Sequence, residues 1–143
     1  FGEQNKGELL DMAGVFFATL TQGGFSGLVV DYDDERPVIA GRKSNVPAPV
    51  RVEAMSEGAS DQLYLALRLA YLSSWIDRHE PLPLILDDVL MAFDDNRAAA
   101  ALKAFSALSE KTQIILFTHH RHVVQIARDT IPEDVLSVQE LGL

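Results

Sequence analysis

The chain has 143 residues, of which 48% are hydrophobic and 23% charged, with no cysteine and a formal net charge of −9 at pH 7. That length suits one domain with a real core, and the balance of apolar and charged residues excludes a disordered or membrane-embedded chain. The lack of thiols excludes a disulfide framework and a thiolate metal site, and a surface this acidic opposes broad binding of phosphate backbones by the chain itself. No apolar run reaches membrane-spanning length or reads as a signal peptide, so a cytoplasmic location with no membrane partner is expected.

Residues 4–21 carry Leu9, Leu10, Ala13, Phe16, Phe17 and Leu20 at i, i+3/i+4 spacing, which predicts a helix ended by Gly23-Gly24. Two strands follow, 25–32 and 37–42, joined as a hairpin by the acidic turn Asp33-Asp34-Glu35-Arg36. Residues 43–49 read as a loop and 50–54 as a short extended segment. Helix and strand then alternate: a helix over 60–78, a buried strand over 82–87, an acid-capped helix over 95–110, a buried strand over 112–117, a helix over 121–130 and a final strand over 135–138. Within the helix over 60–78, Leu63, Ala66, Leu67 and Ala70 are core positions, and Leu69, Leu72 and Trp75 widen the apolar surface. Strands separated by helices of this length pair in parallel through right-handed crossovers. The expected fold is therefore α/β, a mainly parallel sheet with flanking helices, preceded by a helix and a β-hairpin.

The strand Leu84-Ile85-Leu86-Asp87 delivers two adjacent carboxylates, Asp87 and Asp88, to one sheet edge. Ligands of parallel sheets bind beyond the carboxyl ends of the strands. Asp87 is thus suited to hold Mg²⁺, directly or through water, and Asp88 to polarise a water molecule. A strand followed by an acidic helix cap explains the same residues structurally. The usual partner of such a strand is a glycine-rich phosphate loop with Gly-Lys-Ser/Thr, yet none of the nine glycines is followed by lysine.

The next strand ends in Thr118-His119-His120, and parallel pairing brings His119 beside the carboxylates, where imidazole can hydrogen-bond a phosphate or an attacking water. The structural alternative is a solvated polar turn, or a helix-capping Thr118 with incidental histidines. His120 and His122 are expected on the surface. The third constellation is Met55-Ser56-Glu57-Gly58, at the opening of the first long helix of the alternating region. A hydroxyl, free N–H groups and the positive end of a helix make an anion site there, although an ordinary N-cap uses the same residues.

In this order, the pieces resemble the C-terminal half of an ABC-type ATPase head of the SMC-like chromosome and DNA-repair group. Met55-Ser56-Glu57-Gly58 resembles the signature motif, normally Leu-Ser-Gly-Gly. Leu84 to Asp87 resembles the Walker B strand, with Asp88 at the catalytic acid position. Met91-Ala92-Phe93-Asp94 is similar to the D-loop, and His119 to the switch histidine. The run from Ser56 to Ala70 is most similar to YhaN-like and SbcC-like members, and the resemblance spans about residues 50 to 125. Two positions depart from the pattern: Glu57 stands where glycine is usual, and Asp88 replaces glutamate, setting its carboxylate one methylene back.

The resemblance implies an ATPase that uses ATP and Mg²⁺, with Asp87 at the metal, and Asp88 and His119 as catalytic groups. Ser56, Glu57 and Gly58 would contact the γ-phosphate held by an opposing head, and Asp94 would lie at that head–head interface. Residues 1–22 would be the root of a returning coiled coil and 23–143 the C-terminal head lobe. The implied partners are an N-terminal lobe carrying the phosphate loop, a second head, and DNA with a nuclease subunit through the full-length protein. A chain opening on Phe1 is expected to come from such a longer polypeptide.

Two other readings stand beside it. A stand-alone metal-dependent phosphoesterase or nuclease would use Asp87, Asp88, Asp94 and His119 around one or two ions. A non-catalytic module would use the first helix and the signature face to bind a protein.

Overall fold

The structure, a computed structural model, describes residues 3–91 and 93–142. Residues 1, 2 and 143, at the ends of the expected coil root and lobe, and Ala92 of the D-loop-like turn lie outside the described residues. The chain divides after Glu80 into two compact units.

The first unit contains α1 (Glu3–Leu20), β1 (Gly27–Asp33), β2 (Arg36–Arg42), β3 (Val50–Arg51), a 3-10 turn (Val52–Ala54) and α2 (Glu57–Arg78). β1 and β2 form the expected hairpin, in register from Gly27 with Arg42 to Asp33 with Arg36, and β3 adds a third antiparallel strand. The two-residue turn needs positive φ at both central positions to match the strand twist. Asp34 and Glu35 supply it at φ 47 and 68. Arg51 reaches from β3 across β2 to β1, its Nε donating to Asp31 at 3.0 Å, and this bond, aided by the Tyr32 N–H, holds the Asp31 carboxyl below its ordinary value.

α1 packs along α2 and against β1, burying Ala13, Phe17 and Leu20 of α1 and Leu63, Ala66, Leu69 and Ala70 of α2. The predicted apolar stripes therefore become the core, with Leu69 buried fully and Leu67 only in part. α1 ends with a left-handed Gln22 at φ 53, after which the Gly23 and Gln22 N–H groups bond to the carbonyls of Ala18 and Thr19. The Leu20 carbonyl is left over, and Gln62 of α2 satisfies it with a buried 2.6 Å hydrogen bond from Nε2.

The second unit contains β4 (Leu84–Asp87), α3 (Asp95–Leu108), β5 (Ile114–Phe117) and α4 (Arg121–Thr130), with α3 packed on α4. β4 and β5 are parallel, in register from Leu84 with Ile114 to Asp87 with Phe117. Parallel pairing among the described residues is confined to this pair, so the antiparallel sheet is the larger of the two. Leu86 is fully buried, whereas on the opposite face Ile85 is 57% and Phe117 45% exposed. The expected strand over 135–138 is absent, because the Val135 and Leu136 N–H groups both turn back to the Pro132 carbonyl. No described helix is long and apolar enough to cross a membrane.

Gly41 of β2 is where the first unit is tightest. A β-carbon there would lie 2.6 Å from the Phe25 ring, which is buried and packs on Phe17 at 4.7 Å between centroids. Gly41→Ala is expected to destabilise by about 1–3 kcal/mol in urea unfolding. Gly27→Ala, where a β-carbon meets nothing within 4 Å, is the control and should change far less.

Candidate functional site

Parallel register brings the ends of β4 and β5 to the same edge, and the side chains just beyond them converge. The Asp88 N–H bonds to the Phe117 carbonyl at 2.8 Å, carrying the ladder one residue past β4. Asp88 itself sits at φ 52, a left-handed conformation that aspartate tolerates better than most residues. The strand thus stops there and a turn over Val89–Met91 begins.

The Asp88 carboxylate is largely covered, its side chain 16% exposed, and three groups from the end of β5 surround it. Thr118 Oγ1 donates to Oδ1 at 3.2 Å and accepts from the His120 backbone N–H at 3.1 Å, so its one proton and one lone pair are both committed. His119 Nε2 lies 3.3 Å and His120 Nε2 3.5 Å from Oδ2. The His119 ring is mostly exposed, whereas His120 Nε2 is buried and forms no hydrogen bond.

Asp88 and His119, predicted as neighbours, therefore meet. His120, expected on the surface, joins them. Thr118, for which the sequence offered a helix cap only as the structural alternative, braces the carboxylate. His122, also expected on the surface, faces Asp95 at the first turn of α3, with Nε2 2.5 Å from its carboxylate. The adjacency of His119 and His120 at a strand end was the available signal for the larger cluster.

Asp87 closes β4, exposed, and its side chain has no hydrogen-bond or ion-pair partner among the described residues. Asp94 caps α3, accepting from the Arg97 N–H at 2.8 Å. Neither Asp87 nor Asp94 belongs to the group of metal-capable side chains formed by Asp88, His119 and His120.

Ser56, Glu57 and Gly58 belong to the first unit. Helix α2 begins at Glu57, three residues before its predicted start, because Ser56 is the N-cap: its Oγ accepts from the Ala59 N–H at 3.1 Å. Accepting that bond leaves the hydroxyl proton of Ser56 free, and both Ser56 and Glu57 are exposed.

No protein-family model matches the chain. The chain is 35% identical over 116 residues to the uncharacterized protein YhaN of Bacillus subtilis (strain 168), covering 80% of this chain but only 12% of that protein. Among solved structures it is similar to the SMC head domain from Thermotoga maritima, with a TM-score of 0.60 and 22% identity over 84% of this chain and 40% of that one. It is also similar to the Pyrococcus furiosus Smc head bound to the C-terminal domain of ScpA, with a TM-score of 0.64 and 18% identity over 87% and 31% of the two chains. A further match, from work on ATP-driven dimerization and DNA-stimulated activation of SMC ATPases, has a TM-score of 0.67 and 20% identity, covering 87% of this chain and 74% of that chain.

The left-handed backbone of Asp88 separates substitutions that probe its charge from those that disturb its fold. Asp88→Asn should keep the melting midpoint close to that of the original chain, since asparagine tolerates this conformation. Asp88→Val should destabilise by roughly 1–3 kcal/mol in urea unfolding, because a β-branched residue is strained there.

Proposed function

We propose that this chain, which has the fold of an SMC-type ATPase head, is the C-terminal lobe of such a head and contributes half of an ATP-hydrolysis site. The observation that carries the reading is the Asp88 carboxylate bracketed by Thr118 and His119 at the carboxyl ends of two parallel strands. The exposed apolar face of Ile85 and Phe117 supports it, because parallel strands are normally covered on both faces. An N-terminal lobe bearing the phosphate loop would cover that face.

Asp88 would accept a hydrogen bond from the attacking water and orient it in line with the γ-phosphate, with Thr118 fixing the carboxylate and His119 donating to the phosphate oxygens. Aspartate is shorter than the usual glutamate, and the left-handed backbone at Asp88 resets the direction in which that shorter side chain leaves the strand. Asp87 suits Mg²⁺: it is an exposed oxygen donor of the kind that hard cations prefer, with no protein partner among the described residues. The bound ion would neutralise charge on the β- and γ-phosphates.

The signature end of α2 would serve the nucleotide held by a second head. The Ser56 hydroxyl, free to donate, and the first-turn N–H groups of Glu57 and Gly58 would meet its γ-phosphate at the positive end of the helix. ATP would thus join two heads, and loss of the phosphate would release them. Asp94 would lie at that interface, and α1 would be the root of a coiled coil whose polypeptide acts in DNA repair or chromosome maintenance, with DNA and a nuclease subunit among its partners.

The test is ATP turnover by the chain supplied with its N-terminal lobe. Asp88→Asn and Ser56→Arg should each lower it by about 10² or more. A one-to-one mixture of the two variants should regain part of the activity, since a mixed dimer rebuilds one complete shared site. Unchanged turnover in the variants would overturn the assignment, and failure of the mixture to recover would overturn the shared site.

A further inference from the structure

We propose that Asp88, His119 and His120 form a binding site for a divalent cation of the zinc class, separate from the Mg²⁺ position at Asp87. The observation behind it is the buried Nε2 of His120, which has no hydrogen-bond partner although it points at a carboxylate. Buried polar atoms are rarely left without a partner. Here a second imidazole reaches the same oxygen, Oδ2, from the exposed side.

The spacing fits a metal better than it fits hydrogen bonds. Ligands about 2.0–2.1 Å from a tetrahedral Zn²⁺ lie about 3.3–3.4 Å from one another. The two nitrogen-to-oxygen separations are 3.3 and 3.5 Å, while the three donor atoms all lie within 4.8 Å of one another. The remaining nitrogen-to-nitrogen distance would have to close by rotation of the His119 ring, which is 80% exposed and lies 4.8 Å from the His120 ring between centroids. Thr118 holds the carboxylate and the His120 backbone at once, so the carboxylate and the chain segment that carries His120 are positioned before any ion arrives.

Two imidazoles and one carboxylate select Zn²⁺, Co²⁺ or Ni²⁺ over Mg²⁺, which prefers an all-oxygen shell. Three protein ligands leave an open position for water. Resting on the function proposed above, a cation there would occupy Asp88 and His119 together and hold the head inactive until it is removed.

Binding is tested on this chain by titrating Zn²⁺ against a chromophoric chelator and by the visible absorption of Co²⁺. One equivalent should bind, with the intense Co²⁺ bands of a four- or five-coordinate ion, and millimolar Mg²⁺ should not displace it. His119→Ala, His120→Ala and Asp88→Asn should each weaken binding about tenfold or more. His122→Ala, which alters a histidine outside the cluster, should leave binding unchanged. Circular dichroism confirms that each variant is folded. Absence of stoichiometric binding, or equal effects of His120→Ala and His122→Ala, would overturn the site.

A second readout separates the site from the function. In the lobe-complemented head, Zn²⁺ should suppress ATP turnover and a chelator should restore it. Tight binding without suppression would overturn the inhibitory role alone, and a head with no turnover under any condition would overturn the proposed function while the binding result stood.

Discussion

Parallel pairing of β4 with β5 is the constraint on which the second unit's chemistry depends. Because both strands run the same way and end in register, Asp87 with Phe117, the residues that follow them must leave from the same edge. Asp88 then bonds through its backbone to Phe117 and through its side chain to Thr118, so one short ladder sets both the position and the aim of the carboxylate. An antiparallel pair would send the two ends to opposite edges. His119 and His120 lie in the three-residue link between β5 and α4, with His120 at the N-cap position of α4.

Much of this was legible in the chain. The apolar runs around Leu86 and Ile115 are too short for helices and are flanked by helical periodicity, which identifies parallel strands. The meeting of Asp88 and His119 follows from that pairing alone. What the periodicity could not carry was backbone conformation after the strand ends. The left-handed turn at Asp88 and the tight passage through Thr118 decide that His120 faces inward, and neither leaves a pattern in residue spacing. The early start of α2 was hidden for a related reason: Gly58 weakens helix propensity locally, while the hydroxyl of Ser56 compensates through a specific bond. At Val135–Val138 an apolar pair resembled a strand, but the backbone bonds locally to Pro132 and offers no ladder.

The distribution of exposed apolar surface bears on the proposed shared site as well. Ile85 and Phe117 lie on the sheet face from which Asp87 also projects. A lobe that covered them would bring its own groups beside the free carboxylate of Asp87. Packing and chemistry would then be completed by the same event, and the strand pair would gain the second covered face that parallel sheets ordinarily have.

The bond from Gln62 to the Leu20 carbonyl gives the first unit a mechanical property. It ties the last residue of α1 to α2 six residues beyond Ser56, in a buried setting where breaking it would leave two polar groups unpaired. The foot of α1 is therefore fixed to α2. A displacement of that foot would bear directly on the first two turns of α2, the end that presents the first-turn N–H groups.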